Sequence, residues 1–438
     1  MAKMHQNGAL TRKTEFMQSS MHNHENERIA FVGNEDTTLI GFRGELIRDL
    51  VNQGHTVYAF CTQFSDNSRE KIEALGAIPV QYNMSKFSLN PLRDMFTLFQ
   101  LYKFFKRLEI TITYCYFAKP VIYGTLAAAM ARVPKRIAKI EGLGRVFTET
   151  QEGTSVSTSI LRWGMVRLYK LALPKSSLLL LLNNEDKWDL IDRHNISVPR
   201  SEVIGGIGVC LDAYPKSQAP KGPLRFIFVG RLLAEKGIRY FLQAAEVIKK
   251  QHPEVEFIVL GEPDGRAGRE KAVSRPELMD YVSRGVITYP GRVNNVVDWL
   301  ASSSVFVLPS YYREGVPRST QEALAVGRAV ITTDMPGCRE TVIHGDNGLL
   351  IPPHDQLALV RAIEHFIHNP EDVDIMGSRG RELAKQKFDV RACNDKILSL
   401  IHGLPSARAQ QAYESDQTEN SKLDAETSET KSEVKDAQ

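Results

Sequence analysis

Cysteine is scarce in this chain. Five occur in 438 residues, Cys61, Cys115, Cys210, Cys338 and Cys393, and no two have CxxC spacing. That excludes a disulfide scaffold or zinc ribbon and suits reduced cytosolic thiols. Long apolar runs are missing too. The greasiest stretch, "SSLLLLLLNNED" from Ser176, falls well short of the ~20 residues a spanning helix needs and reads as a buried strand. Residues 1–27 are polar without an apolar core, so no signal peptide is expected. No G-x-G-x-x-G follows the first strand, since "VGNEDTTLIG" has the wrong spacing, which argues against a dinucleotide enzyme. No Asp-x-Asp pair sits at a strand end, so no metal or other cofactor is expected.

Strong net charge is also lacking, at +3 overall, but the distribution is uneven. From Lys86 to Lys175 there are 15 Lys/Arg against 5 Asp/Glu. Such a basic segment suits an anionic membrane, nucleic acid or a phosphorylated substrate, or is simply a solvated face.

What is present is a strand–helix rhythm, met twice. "RIAFVGN" is a strand, "GELIRDLVNQGH" a helix and "TVYAFCT" a strand, which makes a βαβ unit and a parallel sheet. A helix over Asn90–Leu108 carries Pro91 in its first turn. "ITITYCYF", "KRIAKIEG" and "SLLLLLLNN" read as strands, and "VIYGTLAAAMARV" and "LRWGMVRLYKLAL" as helices. "DAYPKSQAPKGPL" then breaks the pattern and reads as a linker. The rhythm restarts at "RFIFVGR". The fold class expected is α/β, with two Rossmann-like doubly wound domains facing across a cleft. The boundaries are a disordered N-terminus over 1–27, a first domain over 28–211, a linker over 212–223 and a second domain over 224–387. A helix over 388–404 is expected to cross back to the first domain, and 405–438 is a disordered acidic tail.

Ligands in doubly wound sheets bind outside the carboxyl ends of the strands. Three such ends in the second half carry chemistry. "VGRLLAEKG" places Arg231 and Lys236 around a turn before a helix, a combination suited to a diphosphate. "LPSYYREGVPRSTQEAL" places Glu314 in a Gly-Pro-restricted loop and Glu322 eight residues on. Ser319 with Glu322 reads as a capping box, and Glu322 is also suited to ribose hydroxyls. The amides of Gly315 and Val316 are candidates to face a ligand. "TTDMPGCRET", with Gly337 opening a following helix, supports the same site.

These residues carry a resemblance. The chain resembles a glycosyltransferase of family 4, with the GT-B fold, over roughly 28–404. The family's E-x7-E signature matches Glu314 and Glu322, and its "GR…KG" signature matches Gly230, Arg231, Lys236 and Gly237. The resemblance implies that Arg231 and Lys236 bind the donor diphosphate and Glu322 the ribose. Glu314 would contact the donor sugar from its loop, with Glu322 on the first helical turn facing the nucleoside. "SKFSLNPLRDMFTLFQLYKFFKRLEI", "KPVIYGTLAA" and "IEGLGRVFT" resemble the subgroup that extends polyprenyl-diphosphate-linked sugars, including transferases that add GalNAc to bacillosaminyl-diphospho-undecaprenol and several O-antigen and capsule enzymes. By that likeness Arg43, Lys119, Glu141, Gly142 and Gly144 line the acceptor side. Where some relatives carry a histidine, this chain has Ala118.

The implied activity is retaining transfer of a hexose or N-acetylhexosamine from a UDP-sugar to an undecaprenyl-diphosphate-linked saccharide. Arg231, Lys236 and Glu314 would be catalytic, and no metal would be needed. The partners implied are the UDP-sugar, the lipid-linked acceptor and an anionic membrane surface, without nucleic acid. The place implied is the cytoplasm, peripheral on the inner face of the cytoplasmic membrane. A GT-B sugar-nucleotide epimerase and a non-catalytic nucleotide-binding protein remain as alternatives.

Overall fold

A computed structural model describes residues 26–85, 90–148, 153–263 and 272–404. The acidic tail expected over 405–438 and nearly all of the N-terminal 1–27 lie outside the described residues. The described chain forms two compact units. One holds the residues up to Cys115 together with Ala127–Arg136. The other holds Tyr116–Leu126 and the chain from Ile137 onward.

In the first unit, β1 (Arg28–Val32) is flanked by β2 (Thr56–Cys61) and β4 (Ile112–Tyr116), with β3 (Ile78–Gln81) outside β2, all parallel. Ile29 to Val32 are almost fully buried, as strands covered on both faces must be. The helix Pro91–Arg107 starts as its sequence dictates. The Asn90 side chain accepts from the Leu92 amide and Pro91 occupies the first turn, where its missing N–H costs nothing. It buries Leu98, Leu101 and Phe105 and leaves Leu92, Met95, Phe96 and Phe99 exposed.

The strand β5 (Lys135–Lys139), which enters the second unit at Ile137, runs parallel with β6 (Leu178–Leu181) and β7 (Ser201–Val203) in that order. The four leucines of β6 are fully buried, each worth about 2 kcal/mol relative to exposure. A second sheet has the order β10–β9–β8–β11–β12–β13, all parallel. Its strands are β8 (Arg225–Val229), β9 (Glu256–Leu260), β10 (Thr288–Gly291), β11 (Val305–Leu308), β12 (Ala329–Thr333) and β13 (Gly348–Ile351). The chain runs outward from β8 in one direction and resumes beside it at β11. The carboxyl ends of β8 and β11 are therefore the switch point where such sheets take ligands.

The linker is fastened to this sheet's helices. Arg381 donates to the Tyr214 carbonyl at 2.7 Å, and Arg328 donates to Ser217 Oγ at 2.8 Å. The helix Val390–His402 packs on the segment after β7. Val390 N donates to the Val209 carbonyl, and Lys396 Nζ donates to the Val203 carbonyl at 2.9 Å.

Candidate active site

The loop after β8 returns sharply. Gly237 sits at φ +79°, in the left-handed region, and caps the helix Ile238–Gln251. A Cβ there would fall 2.0 Å from the Pro309 carbonyl oxygen. Only glycine brings this loop so close to the end of β11, and that contact aligns Lys236 with the Glu314 loop.

Lys236 Nζ lies 2.5 Å from Glu314 Oε2. Ser310 Oγ, buried, donates to Glu314 Oε1 at 2.8 Å. Lys236 also sits 5.8 Å from the centre of the Tyr312 ring. Burial pushes the Tyr312 hydroxyl upward in pKa, and the Arg231 guanidinium beside it pulls the other way. Arg231 itself is exposed. So Arg231, Lys236 and Glu314 are brought together around Tyr312 and Ser310. Among the described residues, no backbone carbonyl accepts from the Gly315 or Val316 amide.

The turn over Glu141–Gly144 is wedged against this loop. A Cβ on Gly142, at φ +114°, would lie 2.4 Å from Gly315 N, and Gly144 N donates to the Arg313 carbonyl at 2.9 Å. The Glu141 carboxylate turns to Lys139, 3.2 Å away. The next residue, Arg145, reaches Glu235 at 3.2 Å. Lys119 precedes the turn Pro120–Gly124 and is half-buried. Arg43 belongs to the first unit, where it is 2 % exposed and donates to the Thr38 carbonyl.

Three expectations need correction. The helix after the Glu314 loop begins at Arg318 with Pro317 at its cap and no side-chain cap bond, so Ser319 and Glu322 form no capping box. Pro317 pre-sets the turn and displaces the start by two residues. Glu322 accordingly stands in the second turn and pairs with Arg318 Nε at 3.0 Å. Gly337 opens no α-helix; a short 3-10 turn, Arg339–Thr341, follows. Gly337 instead takes φ +82° because its backbone lies against Gly315, where a Cβ would be 2.2 Å from the Gly315 oxygen.

Several residues escaped sequence reasoning. Gln321 is fully buried; its Oε1 accepts from Gly208 N while its Nε2 donates to the Val316 and Pro317 carbonyls. Asn183 and Asp186 face Arg313 and Gly315, with Arg313 Nη2 at 3.0 Å from Asp186 Oδ1 and 2.6 Å from Asp189 Oδ2. The only signal was "NNED", an N-cap followed by an acid three residues later.

Comparison with known proteins bears on the family and the fold. The family model "Glycosyl transferases group 1" matches residues 212–383, and "Glycosyl transferase 4-like" matches 28–183. The chain is a glycosyltransferase with a group 1 and a 4-like domain. This glycosyltransferase is 27 % identical over 336 residues to the N,N'-diacetylbacillosaminyl-diphospho-undecaprenol alpha-1,3-N-acetylgalactosaminyltransferase of Campylobacter jejuni, a match covering 74 % of this chain and 84 % of that one. It is 27 % identical over 327 residues to the UDP-Gal:alpha-D-GlcNAc-diphosphoundecaprenol alpha-1,3-galactosyltransferase of Escherichia coli, covering 72 % and 80 %. Among solved structures, HepE of Anabaena in complex with UDP and glucose superposes with a TM-score of 0.68 at 17 % identity, over 86 % of this chain and 99 % of that one. At that identity the likeness speaks for the fold, which is GT-B with two parallel-sheet, Rossmann-like halves. Relatives of the glycosyltransferase act on lipid-linked sugars in surface-polysaccharide synthesis.

Proposed function

We propose that this glycosyltransferase moves a sugar from a UDP-sugar to an undecaprenyl-diphosphate-linked saccharide with retention of anomeric configuration. The observation that carries the reading is the Lys236–Glu314 pair, held at 2.5 Å beside Arg231 at the switch point. As the bond to the diphosphate breaks, negative charge grows on the leaving phosphate. Arg231 and Lys236 neutralise it, an effect of about 3 kcal/mol for one preorganised donor. The departing phosphate oxygen takes the acceptor hydroxyl's proton on the same face. Glu314 positions the donor sugar, and the Gly315 and Val316 amides donate to its oxygens. Glu322 holds the ribose. Because two side-chain cations supply the charge, the reaction proceeds without a divalent metal. Lys119 and the Glu141–Gly144 turn contact the acceptor.

The lipid-linked acceptor implies contact with a membrane. Among the described residues, no helix is long and apolar enough to cross one. The exposed Leu92, Met95, Phe96 and Phe99 of the helix Pro91–Arg107, with Lys103, Lys106 and Arg107, make one amphipathic face. Val156, Ile160 and Trp163 of the helix Val156–Ala172 make another, with Arg167 stacked on Trp163. Both support the reading of peripheral binding to an anionic leaflet, proposed here to be the cytoplasmic one.

The test is transfer of labelled sugar from a panel of UDP-sugars into a bacterial lipid extract, with and without EDTA. Label in acid-labile lipid, absent with Glu314→Ala and Lys236→Ala, is the expected result. Donor consumed or epimerised without labelled lipid would overturn the acceptor half and favour an epimerase.

A further inference from the structure

Glu314 is flanked by two residues that are anchored a long way off in sequence. On one side, Arg313 sends its guanidinium to Asp186 and Asp189, its amide donates to Thr148 Oγ1 at 3.0 Å, and its carbonyl accepts from Gly144. On the other side, the Gly315 carbonyl accepts from Asn183 Nδ2 at 2.7 Å. Asn183 and Asp186 are each 1 % exposed and bonded to one another, Nδ2 to Oδ2 at 3.1 Å, and Asn183 Oδ1 accepts from the Asp186 amide at 2.7 Å. The Glu314 backbone is thus held from both sides by one short helix cap.

Generic packing does not require this arrangement. A buried ion pair stabilises little relative to apolar packing of the same volume, because two charges are desolvated to make it. What it supplies is direction. Arg313 is held at two acids, one hydroxyl and one backbone amide, so the path from Arg313 to Gly315 is pinned, and the Glu314 side chain leaves that path toward Lys236 and Ser310.

We propose that Asn183 and Asp186 are positioning residues, which fix the Glu314 loop through Arg313 and Gly315 so that the Glu314 carboxylate meets the donor sugar. This rests on the UDP-sugar reading for what Glu314 touches, but not for the clamp itself. Neither residue touches the site of Lys236. Loosening the clamp therefore leaves the diphosphate contacts of Arg231 and Lys236 in place and removes only the alignment of Glu314. A displacement near 1 Å costs on the order of 10²-fold in rate.

The experiment uses the full chain with Asp186→Asn, Arg313→Gln and the double variant. Three quantities are read: amide hydrogen exchange at 310–317, UDP affinity by calorimetry, and kcat and KM for the donor. Asp186→Asn is expected to speed exchange at 310–317 about tenfold while the helix Ile238–Gln251 is unchanged. UDP affinity should stay within about twofold and kcat fall by at least about tenfold. The double variant should lose no more than either single, since the partners act as one unit. Thr148→Val, which removes the acceptor for the Arg313 amide, repeats the exchange test if Asp186→Asn does not fold. Unchanged exchange in either variant overturns the clamp. UDP affinity falling in step with kcat reduces these residues to general stability. Faster exchange in the variants, with a wild-type protein that neither binds UDP nor transfers sugar, would leave the clamp standing and sink the donor reading.

Discussion

Replacing Lys236 by methionine tests the centre of the site by thermodynamics alone. The side chains of Lys236 and Glu314 are 13 % and 9 % exposed. The methionine keeps the apolar stem and removes the charge, leaving a buried carboxylate with Ser310 as its remaining partner. Removing one member of a buried pair costs about 3–5 kcal/mol; because the pair is slightly exposed, the lower figure applies, about 3 kcal/mol. For a unit of this size each kcal/mol moves Tm by about 2–4 °C, so Lys236→Met should melt roughly 6–12 °C below wild type. Glu314→Gln should cost less, because an amide can still accept from Ser310 and a lysine can reach solvent. The double variant Lys236→Met/Glu314→Gln should regain most of the loss, having no uncompensated charge. All three should be inactive. Calorimetric melting of the four proteins decides it. A Lys236→Met protein as stable as wild type, or a double variant whose losses simply add, would refute the claim that the pair is buried and mutually dependent.

Gly142→Ala would put a methyl group 2.4 Å from Gly315 N at a left-handed φ, so melting should fall by several degrees and donor binding with it; wild-type melting would contradict the packing. Burial pushes the Asp186 carboxyl up to about 7, against the pull of Arg313 and Asn183. Its unfolded value is about 3.9. Between those values the folded protein holds the extra proton, so this group's contribution to stability grows as pH falls from 7 toward 4. Urea midpoints measured at pH 5.5 and 8 should show that slope in wild type and a smaller one in Asp186→Asn. Burial raises the Cys338 thiol to about 12 and Cys115 likewise, so a thiol reagent at pH 8 should label half-buried Cys210 first and those two only after denaturation.

Much of the fold was written in local pattern. "RFIFVG", "VFVLP" and "AVITTD" alternate with helical periods, and each became a strand with a loop at its carboxyl end. Pro91 was legible because it obeys a backbone rule within its own turn. The helix start at Arg318 was not, because Ser319 and Pro317 compete for one cap and the proline's fixed φ wins. Asn183 and Asp186 lie more than 120 residues from Arg313 and Gly315, and nothing in "NNED" tells which distant loop it will hold. Gly337 likewise could be seen as a glycine but not as the partner of Gly315.

Gly142, Gly315 and Gly337 meet backbone to backbone, and none has room for a single added carbon. That stack behaves as a mould. Inherited change can alter what projects from the Glu314 loop, such as Tyr312 or Val316, but not the course the loop follows. New sugar preferences in descendants of this chain would then arise by exchanging projecting side chains, one substitution at a time, while the path that carries the acid stays as it is.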